Sequence, residues 1–248
     1  MSKVFPSMHS KPAKYSFFVL IVYWILLIIV LPTNLPLLAA GLWERWEISA
    51  WFQIIYYLLN ALILAMFMKS YLKEEWFMVT TDFRFYLKHA GLTIAMSVGI
   101  VVLTLATVYF GGVSIRHMAN GLPLVEMTVS HTPLALLEYR PLFGTLAVTF
   151  CTPITMCILY YCFAFAPIAY KRPWLAYLLI PVVTVLPHIV DIIWRDGAQQ
   201  ALSMYLIQLP VHLLACWSYQ KTDNVWTPIF TLAGTNLILS LLQIFLIL

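Results

Sequence analysis

Within residues 185–194, VLPHIVDIIW, His188 and Asp191 stand three positions apart inside an apolar run, just after Pro187. On a helix this spacing puts both on one face. A histidine beside a carboxylate can take and return a proton, so this pair would carry any hydrolytic chemistry the chain performs. At membrane depth each charged group costs about 2.5 to 3.5 kcal/mol on insertion scales, so the pair is expected to face other helices or a wet cavity. Gln208 and His212, four apart around Pro210, form a second polar stripe, and Asn236, Ser240 and Gln243 form a third. Such groups supply interhelical hydrogen bonds worth about 0.6 kcal/mol on average. Gln208 and His212 could equally line a polar cavity for a ligand or partner. His188, Asp191 and His212 could converge on an ion, but no close ligand pair such as HExxH organises a site, and no metal or other cofactor is expected.

Two further groups look chemical and have plainer readings. Glu74-Glu75 is the only acidic pair in the chain, and it sits ahead of an apolar run, where a solvated surface pair is expected. Glu138 and Arg140, in LLEYRPLFG, suit an interfacial ion pair where a helix begins. Cys151, Cys157, Cys162 and Cys216 all lie in apolar runs without CxxC or Cys/His ligand spacing, which suits buried small hydrophobes. The formal charge of +4 is spread without a dense basic cluster, so nucleic acid is not an expected partner.

The elements that must position these residues follow from composition. With 62% hydrophobic and 10% charged residues, and a mean hydropathy of +0.89, the chain has too much apolar surface for one soluble core. The expected fold is all-α, a polytopic transmembrane bundle forming a single domain over residues 1–248, with the lipid bilayer as its solvent. Apolar runs at 15–31, 49–68, 91–110, 142–170, 173–194, 198–219 and 225–248 make seven spans. An eighth hidden in 111–140 is the alternative. Between the second and third runs, residues 69–89 interleave charges such as Lys73, Glu74 and Arg84 with Trp76, Phe77 and Phe85, a mixture suited to a surface-lying segment. Seven spans put Lys3, Lys11, Lys14, Lys69, Lys73, Arg84, Lys88, Lys171, Arg172 and Lys221 on one side, and Arg45, Arg116, Arg140 and Arg195 on the other. Cytoplasmic loops carry the excess of Lys and Arg, so the amino terminus is expected in the cytoplasm and the carboxyl terminus outside the cell membrane.

The segment SYQKTDNVWTPIFTLAGTNLI, residues 218–238, resembles the last motif region of the CAAX-protease and bacteriocin-processing (CPBP, or Abi) family of intramembrane proteases. There a polar turn and a W-x-P-I opening lead into a helix carrying His-x-x-x-Asn or Asp; here the two positions hold Leu232 and Asn236. His188 matches the histidine of the family's Phe-x-x-x-His, with Thr184 in the Phe place. In CTPITMCILYY, Pro153 matches the Pro-x-x-Glu-Glu-x-x-x-Arg motif, while Met156 and Cys157 replace the glutamates and Tyr161 the arginine. The resemblance covers residues 91–238. It implies a bacterial membrane protein with the protease fold and without the glutamate pair that activates water, since Met156 and Cys157 cannot accept a proton as carboxylates do.

The function this implies is that of a catalytically inactive scaffold, chaperone or regulator, a pseudoenzyme whose partner is another membrane or cell-envelope protein. One alternative is an active intramembrane endopeptidase with an atypical site at His188, Asp191 and Asn236. Another is a bacteriocin-immunity or permease-type protein.

Overall fold

The computed structural model describes residue 22 and residues 46–110, 147–196 and 198–247, and all the elements in the three longer stretches are helices. In chain order they are α1 (Trp46–Phe67), α2 (Lys69–Thr81), α3 (Phe83–Phe110), α4 (147–171), α5 (Pro173–Asp196), α6 (Ala198–Thr222) and α7 (Trp226–Ile247). The apolar runs expected from 49 onward fold as α1 and α3 to α7. The run at 15–31, the segment 111–140 with its alternative eighth span, and the Glu138/Arg140 pair lie outside the described residues.

α1, α2 and α3 are separated by single residues, and backbone bonding bridges both joints. Met68 N–H donates to Leu64 O, and Leu72 N–H to Met68 O, each at 2.9 Å; Asp82 N–H donates to Met78 O, and Tyr86 N–H to Asp82 O. With no proline to stop it, α3 starts at Phe83 rather than at 91, so the charged residues up to His89 form its first two turns.

α4 is the central helix. Residues Cys157 to Phe165 are buried almost all round, and Tyr160, Tyr161 and Phe165 are among the largest fully buried side chains. A helix that is apolar on every side belongs inside a bundle. It packs on α1, α5 and α7, while α3 packs on α6 and α7, and α5 on α6. Two stretches of α4, Ala147–Cys151 and Cys157–Phe165, are wound in wide i→i+5 turns, as in the bond from Ala166 N–H to Tyr161 O. Each ends two residues before a proline, Pro153 or Pro167, whose missing N–H deprives the preceding turn of its usual donor.

α3 and α7 meet along a seam of small residues. Thr227, Thr231 and Thr235, spaced by four on α7, are all buried, and the Thr231 hydroxyl lies 2.6 Å from that of Thr93. Gly234 lets the helices approach closely, since a Cβ there would stand 2.5 Å from Ile94 Cδ1. Outward faces are apolar: Leu58, Leu59, Leu62 and Ile63 of α1 are each just over half exposed, and Leu92, Met96 and Leu103 of α3 are exposed too. Among the described residues, two helices, over Phe83–Thr104 and Thr149–Lys171, are long and apolar enough to cross a membrane, and Leu58–Phe67 and Pro173–Leu186 are shorter apolar helical stretches.

Candidate functional site

Positions on α4 and α7 matched to the protease motifs lie in the apolar core. Met156, Cys157, Tyr161 and Leu232 are all buried members of a single apolar cluster, in which Ile158, Leu159 and Leu239 also take part. Thr184, on α5, is fully buried and donates its hydroxyl hydrogen to Ile180 O at 2.7 Å, within its own helix. Asn236 is half-buried on α7. His188 and Asp191 occupy α5, but their side chains lie outside the described residues, as do those of Ser240 and Gln243.

Gln208 and His212 are buried on α6, which continues unbroken through Pro210. The Tyr161 hydroxyl and His212 Nδ1 share a hydrogen bond of 2.8 Å, linking α4 to α6 through the core. The wide turns of α4 help, because they rotate Tyr161 relative to its position on a regular α-helix. The chemistry open to this cluster is limited: a phenol, an imidazole and thiols are present, but no carboxylate stands at the matched positions Met156, Cys157 or Leu232. Among the described residues, no group of three or more His, Cys, Asp or Glu side chains could hold a metal ion.

A second site forms where α2 meets the turn between α6 and α7, and here the expectation of a solvated acidic pair is overturned. Glu74 is exposed, but Glu75 is 2% exposed. On α2 the buried residues are Leu72, Glu75 and Val79, spaced i, i+3, i+7, so Glu75 occupies the middle of the stripe that packs inward. The surface-lying segment expected at 69–89 is thus surface-lying on one side only, where Phe77 is 71% exposed.

The turn is shaped to grip α2. Asp223 takes a left-handed conformation, φ 49°, and its N–H bonds Tyr219 O at 2.8 Å, closing α6. Asn224 then uses both halves of its amide: Oδ1 accepts from Trp226 N–H at 2.9 Å, capping α7, and Nδ2 donates to Glu75 O at 2.8 Å. Val225 N–H donates to Glu75 Oε2 at 3.3 Å, and the Trp226 indole N–H to Leu72 O at 3.0 Å. Trp76 stacks edge-on against Trp226, ring centroids 5.0 Å apart. Tyr71, Tyr86 and Tyr219 lie near enough to Glu75 for its charge to act on their hydroxyls, and the Tyr71 hydroxyl accepts from the Cys162 thiol at 3.8 Å. Burial, with Asp223 and Glu74 adding repulsion, pushes the Glu75 carboxyl up to about 8, although the Val225 N–H acts in the opposite sense.

Sequence reasoning placed Glu75 in water and passed over Asn224 and the Tyr161–His212 bond. The signal for Glu75 was present in its register with Leu72 and Val79. Asn224, immediately before the apolar run at 225–248, was legible as a cap. For Tyr161 and His212, 51 positions apart, nothing local pairs them. No protein-family model matches this chain, and no curated protein or solved structure is similar to it.

Proposed function

We propose that the chain is a polytopic protein of the cell membrane, with seven spans and the helix order of the CAAX-protease and bacteriocin-processing family, and that it works without peptidase chemistry by binding another membrane or envelope protein as a scaffold, chaperone or regulator. The observation that carries this reading is the burial of Met156, Cys157 and Leu232: three positions that would be two glutamates and a histidine in a protease are all apolar members of the core. A general base must lie within hydrogen-bond reach of the water it activates, and none of these side chains can serve. Burying such polar groups is costly unless they are used, so their replacement by packing groups accords with a fold kept after its chemistry was lost. The half-exposed leucines and isoleucine of α1 support immersion in lipid, because water tolerates such contiguous apolar faces poorly.

The test is cleavage. The purified full-length protein is expected to leave a panel of prenylated and leader-peptide substrates uncut, and to bring a stoichiometric companion with it when extracted in mild detergent. Turnover by the wild type that vanishes in an equally folded His188→Ala protein would replace this reading with an atypical peptidase.

A further inference from the structure

Glu75 takes no part in the function proposed above, yet it is the most deeply covered acid among the described residues. The titratable groups around it come from every element that packs there: Tyr71 and the exposed Glu74 on α2, Tyr86 at the start of α3 with Asp82 beside it, Cys162 on α4, Tyr219 on α6, and Asp223 in the turn before α7. The two other carboxylates that act on Glu75 directly, Asp223 and Glu74, are of its own sign. A carboxylate in this position would have one backbone donor, Val225 N–H at 3.3 Å, which is long for a charge-assisted bond. A neutral acid fits the same covered place without that deficit, because it carries no charge that needs further donors.

We propose that Glu75 is a protonation-operated latch: as the neutral acid it holds α2 closed on the turn between α6 and α7, and as the carboxylate it lets that turn and the first residues of α7 part from α2. Three bonds close the latch, from Val225 N–H to Glu75 Oε2, Asn224 Nδ2 to Glu75 O, and the Trp226 indole to Leu72 O. The carboxyl is covered by those same groups, so an ionised Glu75 reaches water only when they separate. The direction follows from linkage. A carboxyl raised by burial binds its proton more tightly in the closed form than in the open one, so its contribution to closure is complete at acid pH and is lost as pH rises through about 8. The consequence reaches α7, whose first turn carries the cap at Asn224 and whose Thr231 and Leu232 follow within two turns.

The experiment is hydrogen exchange on the full-length protein in lipid nanodiscs, read at the amides of Val225 and Trp226 and corrected for the intrinsic pH dependence of exchange. Protection in the wild type is expected to fall at least about tenfold between about pH 7 and about pH 9, while Glu75→Gln, which mimics the neutral acid, stays protected throughout. Asp223→Asn removes a neighbouring negative charge while keeping a residue that tolerates the left-handed conformation, and it is expected to move the midpoint to lower pH, because loss of that repulsion lowers the proton affinity of Glu75. In parallel, the infrared carbonyl band of a protonated carboxylic acid in the wild type should disappear with the same midpoint. Constant protection of the wild type across the range, or an equal fall in a folded Glu75→Gln protein, would overturn the latch. If Glu75→Gln does not fold, the wild-type infrared titration decides, and absence of a carboxyl titrating near 8 overturns it.

Discussion

A tyrosine with no exposed surface must give its hydroxyl a partner, and Tyr161 finds one in His212 Nδ1 at 2.8 Å. Each group removes the other's need for water, so loss of either leaves a buried polar atom behind. Tyr161→Phe is therefore expected to lower stability by about 1 to 2 kcal/mol, above the membrane average for such bonds because the site is fully covered. Unfolding in mixed detergent micelles measures this. The double variant Tyr161→Phe/His212→Leu should lose less than the sum of the two single variants, since the bond between the two side chains can be lost only once. Strict additivity would mean that the bond contributes nothing. Glu75 obeys the same rule with a proton instead of a side chain: the neutral acid is the form that its covered position accepts.

Helix packing between α3 and α7 depends on the absence of a side chain. Gly234 presents bare backbone to Ile94, and an added Cβ would press on Ile94 Cδ1 and Cγ1, at 2.5 and 3.1 Å. Overpacking costs about 1 to 3 kcal/mol, and the better helix propensity of alanine returns about 1 kcal/mol. Gly234→Ala is thus expected to destabilise by about 1 kcal/mol, because the end of the Ile94 side chain can move. Ile94→Val removes the Cδ1 atom in question, so Gly234→Ala should cost measurably less in that background, with a coupling of at least about 0.5 kcal/mol. Equal cost in both backgrounds would place the strain elsewhere. The Thr227, Thr231 and Thr235 stripe beside Gly234 belongs to the same seam, in which small side chains let two helices approach.

For the molecule as a whole, the proposed seven spans would put ten Lys and Arg residues on one face of the bilayer and four on the other, and sidedness is expected to follow that bias. A tag at the amino terminus is expected to be reachable only from the cytoplasm and one after Leu248 only from outside. Both tags reporting the same side would require a further crossing within residues 111–140. If the proposed orientation holds, the latch around Glu75 would lie at the cytoplasmic end of the bundle, together with Lys69, Lys73 and Lys221, and would meet the pH of the cell interior.

Helix positions were legible in the chain, because runs of apolar residues bounded by charges and prolines report local hydrogen bonding and local hydrophobicity. The run at 173–194 became Pro173–Asp196, and that at 225–248 became Trp226–Ile247. The boundary at 91 was misplaced because polarity marks where a helix meets water, whereas the helix itself continues to Phe83. Spacing also placed Met156, Cys157 and Tyr161 on one helix and Leu232 on another. It could not show that Tyr161 meets His212, or that Glu75 is covered by Asn224 and Val225 from 149 and 150 positions away. A carboxylate beside Lys73 and Glu74 has the composition of a wet surface, and only the arrival of the turn before α7 makes it dry. Periodicity tells which face of a helix a residue occupies; whether that face is covered, and by what, is decided by contacts between elements distant in the chain.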